Sequence, residues 1–283
     1  MKIIECPRDA MQGLHEFIPT EKKALYINQL LKVGFDTIDF GSFVSPKAIP
    51  QLRDTAEVLD KLNLSETSTK LLAIVANVRG AEQAIQFEEI DYLGFPLSIS
   101  EQFQLRNTNK SIDEALATVA DIQNLCEKHG KTLVTYISMG FGNPYGEPFN
   151  EEIIADFVEK LNVLGVQIIS LSDTIGVAAP DVIESVFATS ISTYPDIEFG
   201  AHFHSTPEKT KEKLESAYLA GCRRFDTAIK GFGGCPMAKD DLTGNIATER
   251  LLDYLNTVGQ ETGLNKNAFD QAMVMSLDVF PVN

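Results

Sequence analysis

Two histidines, His202 and His204, flank Phe203 in a run that alternates as a strand does, residues 198–204. Strand side chains point to opposite faces in turn, so both imidazoles fall on one side and Phe203 on the other. Two imidazoles on one face make a natural chelate for a divalent cation. Oxygen donors to complete it are Asp9, just after the first strand-like run, and Asn245, after the last one. Each also has an ordinary role open to it: Asp9 as a turn cap, Asn245 as the N-cap of the final helix. His129, ahead of Gly130, reads as a helix-end residue, and His15 is a loop residue whose role stays open.

A second segment able to do chemistry is Gly231-Phe232-Gly233-Gly234-Cys235-Pro236. Three glycines permit unusual backbone angles and motion, as in loops that close over a substrate. A thiol there can give or take a proton beside a bound substrate. A purely structural or phosphate-cradling glycine turn with an incidental cysteine is the competing account. The other cysteines, Cys6, Cys126 and Cys222, fall in or beside strands and in a helix, where packing is the expected role.

The elements that must position these residues alternate. Short apolar runs at residues 2–6, 35–40, 70–76, 90–95, 132–138, 166–171, 198–204 and 224–229 read as strands. Helical patterns lie between them at 20–33, 46–62, 80–88, 111–129, 150–164, 180–193, 207–220 and 245–258. Thr20 and Asn150 stand at helix N-cap positions, and Gly34, Gly130, Gly165 and Gly221 where helices end. Strand–helix alternation repeated in this way predicts a TIM (β/α)8 barrel, here one domain over residues 1–283 with a short C-terminal helical extension. An open doubly wound sheet is disfavoured because no Gly-x-Gly-x-x-Gly turn follows the first strand. Barrel sites form at the C-terminal strand ends, and the seventh, eighth and first strands are neighbours in a closed barrel. Asp9, His202, His204 and Asn245 can therefore converge.

The chain has 283 residues, 44% hydrophobic and 23% charged, enough for a large buried core. Its net charge of −16 argues against nucleic acid and anionic membranes as main partners. No run approaches the roughly 20 apolar residues of a membrane span. A strand beginning almost at Met1 leaves no room for a leader, and the cysteines form no CxxC pair, so a reducing, cytoplasmic location is expected.

Taken together, Pro7-Arg8-Asp9, Phe17-Ile18-Pro19-Thr20, Ser42-Phe43-Val44-Ser45-Pro46-Lys47, Ser172-Asp173-Thr174-Ile175-Gly176-Val177, His202-Phe203-His204, Gly233-Gly234-Cys235-Pro236 and Gly244-Asn245-Ile246-Ala247-Thr248-Glu249 resemble the 3-hydroxy-3-methylglutaryl-CoA lyase family, in order and over nearly the whole chain. The resemblance implies a carbon–carbon lyase that cleaves 3-hydroxy-3-methylglutaryl-CoA to acetyl-CoA and acetoacetate. It implies a divalent cation, Mg2+ or Mn2+, on Asp9, His202, His204 and Asn245. Arg8 would stabilise an enolate oxygen, Cys235 would transfer a proton, and Asp39, Asp173 and His202 would serve the catalytic network. Gln12 and Ser42 would lie against the substrate. The partner is an acyl-CoA, for which Lys47, Arg106, Lys110 and Lys230 are candidate cations, and a homodimer is the expected assembly.

The chain departs from the family at three places. Arg8-Asp9-Ala10-Met11-Gln12-Gly13-Leu14 stands where the family has Arg-Asp-Gly-Leu-Gln-Asn-Glu. Asp39 replaces a Glu. The stretch from Cys235 to Asn245, with Lys239-Asp240-Asp241, is one residue longer. These departures keep three alternatives in view: a lyase for another 3-hydroxyacyl-CoA or hydroxy acid, a Claisen- or aldol-type condensing enzyme, and a barrel that binds without turnover.

Overall fold

The computed structural model describes residues 1–234 and 243–280. Cys235 and the Lys239-Asp240-Asp241 stretch lie outside the described residues. The strands are β1 (Lys2–Glu5), β2 (Thr37–Ser42), β3 (Lys70–Ile74), β4 (Ile90–Ser98), β5 (Thr132–Ser138), β6 (Ile168–Asp173), β7 (Glu198–Phe203) and β8 (Arg224–Thr227). They pair in sequence order, all parallel, and β1 closes on β8 through Lys2–Arg224 to Glu5–Thr227, so the sheet is the expected closed barrel. Around it lie α1 (Pro7–Gln12), α2 (Thr20–Leu31), α3 (Thr55–Leu59), α4 (Val78–Ala84), α5 (Glu101–Thr108), α6 (Ile112–Lys128), α7 (Glu151–Val163), α8 (Pro180–Thr193), α9 (Thr210–Leu219), α10 (Thr248–Thr257) and α11 (Lys266–Val279). No helix among the described residues is long and apolar enough to cross a membrane.

Local chemistry accounts for most element ends. Ser111 and Glu114 form a reciprocal capping box on α6, and the Asn150 side chain accepts from Ile153 N at the start of α7. The glycines expected at helix ends, Gly34, Gly130, Gly165 and Gly221, all have positive φ. Thr20 is no cap: it is the first residue of α2, and its hydroxyl donates to Asp54.

The long helix expected over 46–62 is instead a 3-10 turn at Pro50–Leu52 followed by the short α3. Pro50 has no N–H to give a preceding turn and its ring clashes with one. Pro96, by contrast, does not end β4, which runs on to Ser98. β3 pairs only as far as Ile74 opposite Gly94, so beyond that point the missing N–H has no strand to bond on that side.

The strands divide two interiors. Leu72, Ile74, Tyr92, Val134, Tyr136 and Ile168 fill the lumen, while the intervening residues join the larger core under the helices. The C-terminal extension is α11, docked on α2: Gln29 donates to the Ala268 carbonyl, and Asn265 N to that of Val33. Its last aromatic, Phe280, meets Tyr26 edge-on and stacks on Phe232 at 4.8 Å between centroids.

Candidate active site

β7 alternates as its sequence predicts. Phe203 points outward, edge-on to Phe141 and Phe187 in the helical core, and so turns both His202 and His204 to the mouth. Asp9 arrives from α1, a six-residue helix opened by Pro7 directly after β1. Ligand atoms of Asp9, His202 and His204 all lie within 4.8 Å of one another.

Asn245 completes the group, but not from a helix end. The final helix starts at Thr248, and Asn245 instead forms an isolated antiparallel bridge with His204. Its amide nitrogen donates to Asp9 Oδ2 at 2.7 Å and to the Phe232 carbonyl at 2.9 Å. With both N–H groups used, Oδ1 is what Asn245 can offer a cation.

The histidine tautomers are set from behind. His204 Nδ1 lies 2.8 Å from the Thr174 carbonyl, which can only accept, so Nδ1 carries the hydrogen and Nε2 keeps its lone pair. That Nε2 is buried and has no hydrogen-bond partner among the described residues. Burial, then the neighbouring His202, push His204 below its usual pKa, toward the neutral form that binds metals. His202 Nδ1 lies 3.2 Å from Asp226 Oδ2. Burial would lower His202, but the bond to Asp226 and the charges of Asp226 and Asp9 outweigh it and raise it.

An unpartnered imidazole nitrogen facing a carboxylate and a second imidazole is a donor set that fits a divalent cation. Cys6, His202 and Asp226 form a second close triple. Burial and the charges of Asp226 and Asp39 push the Cys6 thiol well up, so it stays protonated and a poor ligand.

Arg8 bridges two carboxylates. Nε and Nη2 donate to Asp39, and Nη1 donates to Asp9 at 2.8 Å and to Gln12 at 2.9 Å. Burial opposes the charge, but Asp39 and Asp9 outweigh it and hold the guanidinium above its ordinary range. Burial would likewise raise Asp9; Arg8, then His202 and His204, pull it below the usual carboxylate value. Burial lifts Asp39 to about 6 against the pull of Arg8. Of the five guanidinium N–H groups, one on Nη2 has no partner among the described residues.

A cavity of about 430 Å3 opens above these groups, lined by Arg8, Asp9, Gln12, His202 and His204 at its floor. Three residues expected at the site stand elsewhere. Asp39 is fully buried behind Arg8 and does not line the cavity. The Ser42 hydroxyl is occupied by Val44 N in a local turn, and Ser138 and Ser172 face the cavity instead. Asp173, at the end of β6, points outward: its carboxylate accepts from Val177 N, Ala178 N and Lys213. None of Lys47, Arg106, Lys110 and Lys230 lines this cavity; its exposed basic side chains are Arg53 and His15. The Arg53 guanidinium lies 3.5 Å above the Phe17 ring and donates to the Pro50 carbonyl.

Sequence reasoning passed over Asp226, Tyr136, Glu5 and Lys213. Asp226 was findable, since Arg224 and Asp226 are polar at alternate positions of one strand and so share the lumen face. Tyr136 meets His202 edge-on and keeps a buried hydroxyl without a partner at the cavity wall.

The loop that leads toward Cys235 is described as far as Gly234. Gly233 has φ +95°, and a Cβ there would stand 2.8 Å from Asn245 Nδ2 and 2.9 Å from the Asp9 carbonyl. Only glycine lets this loop lie so close over α1. Glu5 anchors the loop's root, accepting from Ile229 N at 2.8 Å and from the Thr248 hydroxyl at 2.6 Å.

A family model described as HMGL-like matches residues 2–275. Hydroxymethylglutaryl-CoA lyase YngG of Bacillus subtilis is 34% identical over 258 residues, 91% of this chain and 85% of its own. The 3-hydroxy-3-isohexenylglutaryl-CoA/hydroxy-methylglutaryl-CoA lyase of Pseudomonas aeruginosa is 31% identical, over 94% of this chain and 88% of its own. The structure of an HMG-CoA lyase from Acinetobacter baumannii, in complex with coenzyme A and 3-methylmalate, matches with a TM-score of 0.91 at 31% identity, covering 99% of this chain and 91% of that one.

Proposed function

The chain belongs to the HMGL-like family, and we propose that it cleaves 3-hydroxy-3-methylglutaryl-CoA to acetyl-CoA and acetoacetate, with Asp9, His202, His204 and Asn245 holding a Mg2+ or Mn2+ ion. The observation that carries the reading is the unpartnered, buried Nε2 of His204 beside Asp9 and His202, with a buried arginine next to it.

In this reaction the 3-hydroxyl loses its proton and its oxygen becomes the ketone of acetoacetate. The electron pair of the breaking carbon–carbon bond moves onto the thioester as an enolate, which takes a proton on carbon to give acetyl-CoA. The ion supplies Lewis-acid polarisation of the substrate's hydroxyl and carboxylate oxygens.

The protein's own groups do the rest. Arg8 keeps a permanent charge and one uncommitted N–H for the developing enolate oxygen. Asp39 and Gln12 hold that guanidinium in place, so Asp39 acts through Arg8. Tyr136 offers a hydroxyl to substrate oxygens at the cavity wall. The base that takes the hydroxyl proton is one of the cavity-facing donors, His202 or Asp9. A His202 that gives Nε2 to the ion has no lone pair left, because Nδ1 is spent on Asp226; in that state Asp9 is the acceptor. Cys235, outside the described residues, is the proton donor to the enolate in this reading. Arg53 is the cation we assign to the phosphates of CoA, displacing the four basic residues expected from the sequence. We place the enzyme in the cytoplasm, where the buried thiols Cys6, Cys126 and Cys222 stay reduced, and as a homodimer, which sedimentation would check.

The test is acetoacetate release from 3-hydroxy-3-methylglutaryl-CoA by chelator-treated protein, with and without added Mg2+ or Mn2+. Metal-dependent release that Asp9→Ala abolishes and Cys235→Ala reduces is the expected result. No release by protein that binds the ion would sink the substrate assignment.

A further inference from the structure

Lys213 is fully buried in α9, and a lysine is almost never fully buried unless something holds its charge. Its ammonium donates to Asp173 Oδ2 at 2.5 Å and to the His204 carbonyl at 3.0 Å. One side chain thus ties the end of β6 to the end of β7, at the residue whose ring faces the cavity. The same junction carries a backbone bond, His204 N to the Asp173 carbonyl.

Asp173 in turn shapes the turn that follows it. Its two oxygens accept from Val177 N and Ala178 N and pull the chain around Gly176, which has φ +73°. Thr174 lies inside this turn, with its hydroxyl accepting from Met139 N. Its carbonyl is therefore fixed where it meets His204 Nδ1 at 2.8 Å. A neutral imidazole has two tautomers, and only the one with hydrogen on Nδ1 leaves Nε2 able to bind a cation.

We propose that Lys213 is a positioning residue of the metal centre: through Asp173 and the His204 carbonyl it holds the Thr174 carbonyl against Nδ1 and keeps the His204 lone pair aimed at the ion. This rests on the metal site proposed above. It also gives Asp173 a role away from the substrate, since both of its oxygens are engaged on the outer face of β6. Removing the cation alone would leave a bare buried carboxylate, so Lys213→Met by itself tests folding as much as positioning. The charge-balanced pair Lys213→Met with Asp173→Asn avoids that.

Mn2+ binding followed by electron paramagnetic resonance, on protein whose fold is checked by circular dichroism, reads the effect without turnover. The balanced variant is expected to bind Mn2+ about 10- to 100-fold more weakly, the usual cost of losing an outer support of a ligand. In a His204→Ala background the same two changes should alter the affinity by less than about twofold, because the residue they position is gone. Wild-type affinity in a folded balanced variant, or an undiminished loss without His204, overturns the proposal. The nitrogen-15 shifts of His204 in the metal-free wild type test it even if the variants fail to fold. A ring protonated on Nδ1 supports it; one protonated on Nε2, or exchanging freely between the two, refutes it. Failure of the wild type to bind Mn2+ would overturn the metal reading instead.

Discussion

Replacing Glu5 by Gln should make the protein more stable at alkaline pH and leave it unchanged in acid. Glu5 is a fully buried carboxyl, and that burial lifts its pKa from the ordinary 4.5 to about 8 against the bonds from Thr248 and Ile229. In the unfolded chain the group ionises near 4.5. Between these two values the folded protein holds one proton more than the unfolded one, so stability falls as pH rises through the window. Each pH unit is worth about 1.4 kcal/mol, so wild type loses about 4 kcal/mol from this one group between pH 5 and pH 8.

Glutamine mimics the protonated acid. Its oxygen can accept from Ile229 N, and its amide can donate to Thr248, whose hydroxyl then turns to Thr227 at 3.0 Å. Urea denaturation of both proteins at pH 5 and pH 8.5 measures the difference. The advantage of Glu5→Gln should grow by about 4 kcal/mol between the two. A difference independent of pH, or a variant less stable than wild type at pH 8.5, would refute the reasoning.

Other consequences are open to direct measurement. Gly233→Ala forces a Cβ against the backbone of Asp9 and Ala10 at positive φ, and should cost about 1–3 kcal/mol of stability and weaken Mn2+ binding measurably. Asp226→Asn puts an amide against His202 Nδ1 where a carboxylate held the hydrogen. Mn2+ affinity should fall about 10- to 100-fold, read by titration calorimetry. Arg53→Ala removes a cation at the cavity mouth, and the KM for the CoA ester should rise about threefold, with a smaller rise for the corresponding pantetheine ester. Equal rises for both esters would show that Arg53 does not meet phosphate.

The barrel was legible because strand–helix alternation is a chain-wide signal, and the turn of both imidazoles to one side followed from a period of two. What escaped was made by contacts distant in sequence. α1 and α5 are six and eight residues long, too short to announce themselves by periodicity, and they exist because the barrel mouth supports them. Lys213 reads as an ordinary polar helix residue until α9 is laid on the ends of β6 and β7. The expected CoA cations were chosen for following strands, but position after a strand does not decide which way a loop side chain points. Asn245 was assigned to a helix that begins three residues later, because an isolated bridge to His204 has no sequence signature.

The aromatic stack at the end of α11 matters for anyone handling the protein. Asn245 leans on the Phe232 carbonyl, the Phe232 ring leans on Phe280, and Phe280 on Tyr26. A purification tag fused after Asn283 would begin three residues from this stack and pull on the loop that meets the proposed ion. The other terminus enters β1 at Lys2, at the opposite end of the barrel from the cavity. An amino-terminal tag is the one that leaves metal affinities and rates measured on the fusion protein comparable with those of the untagged chain.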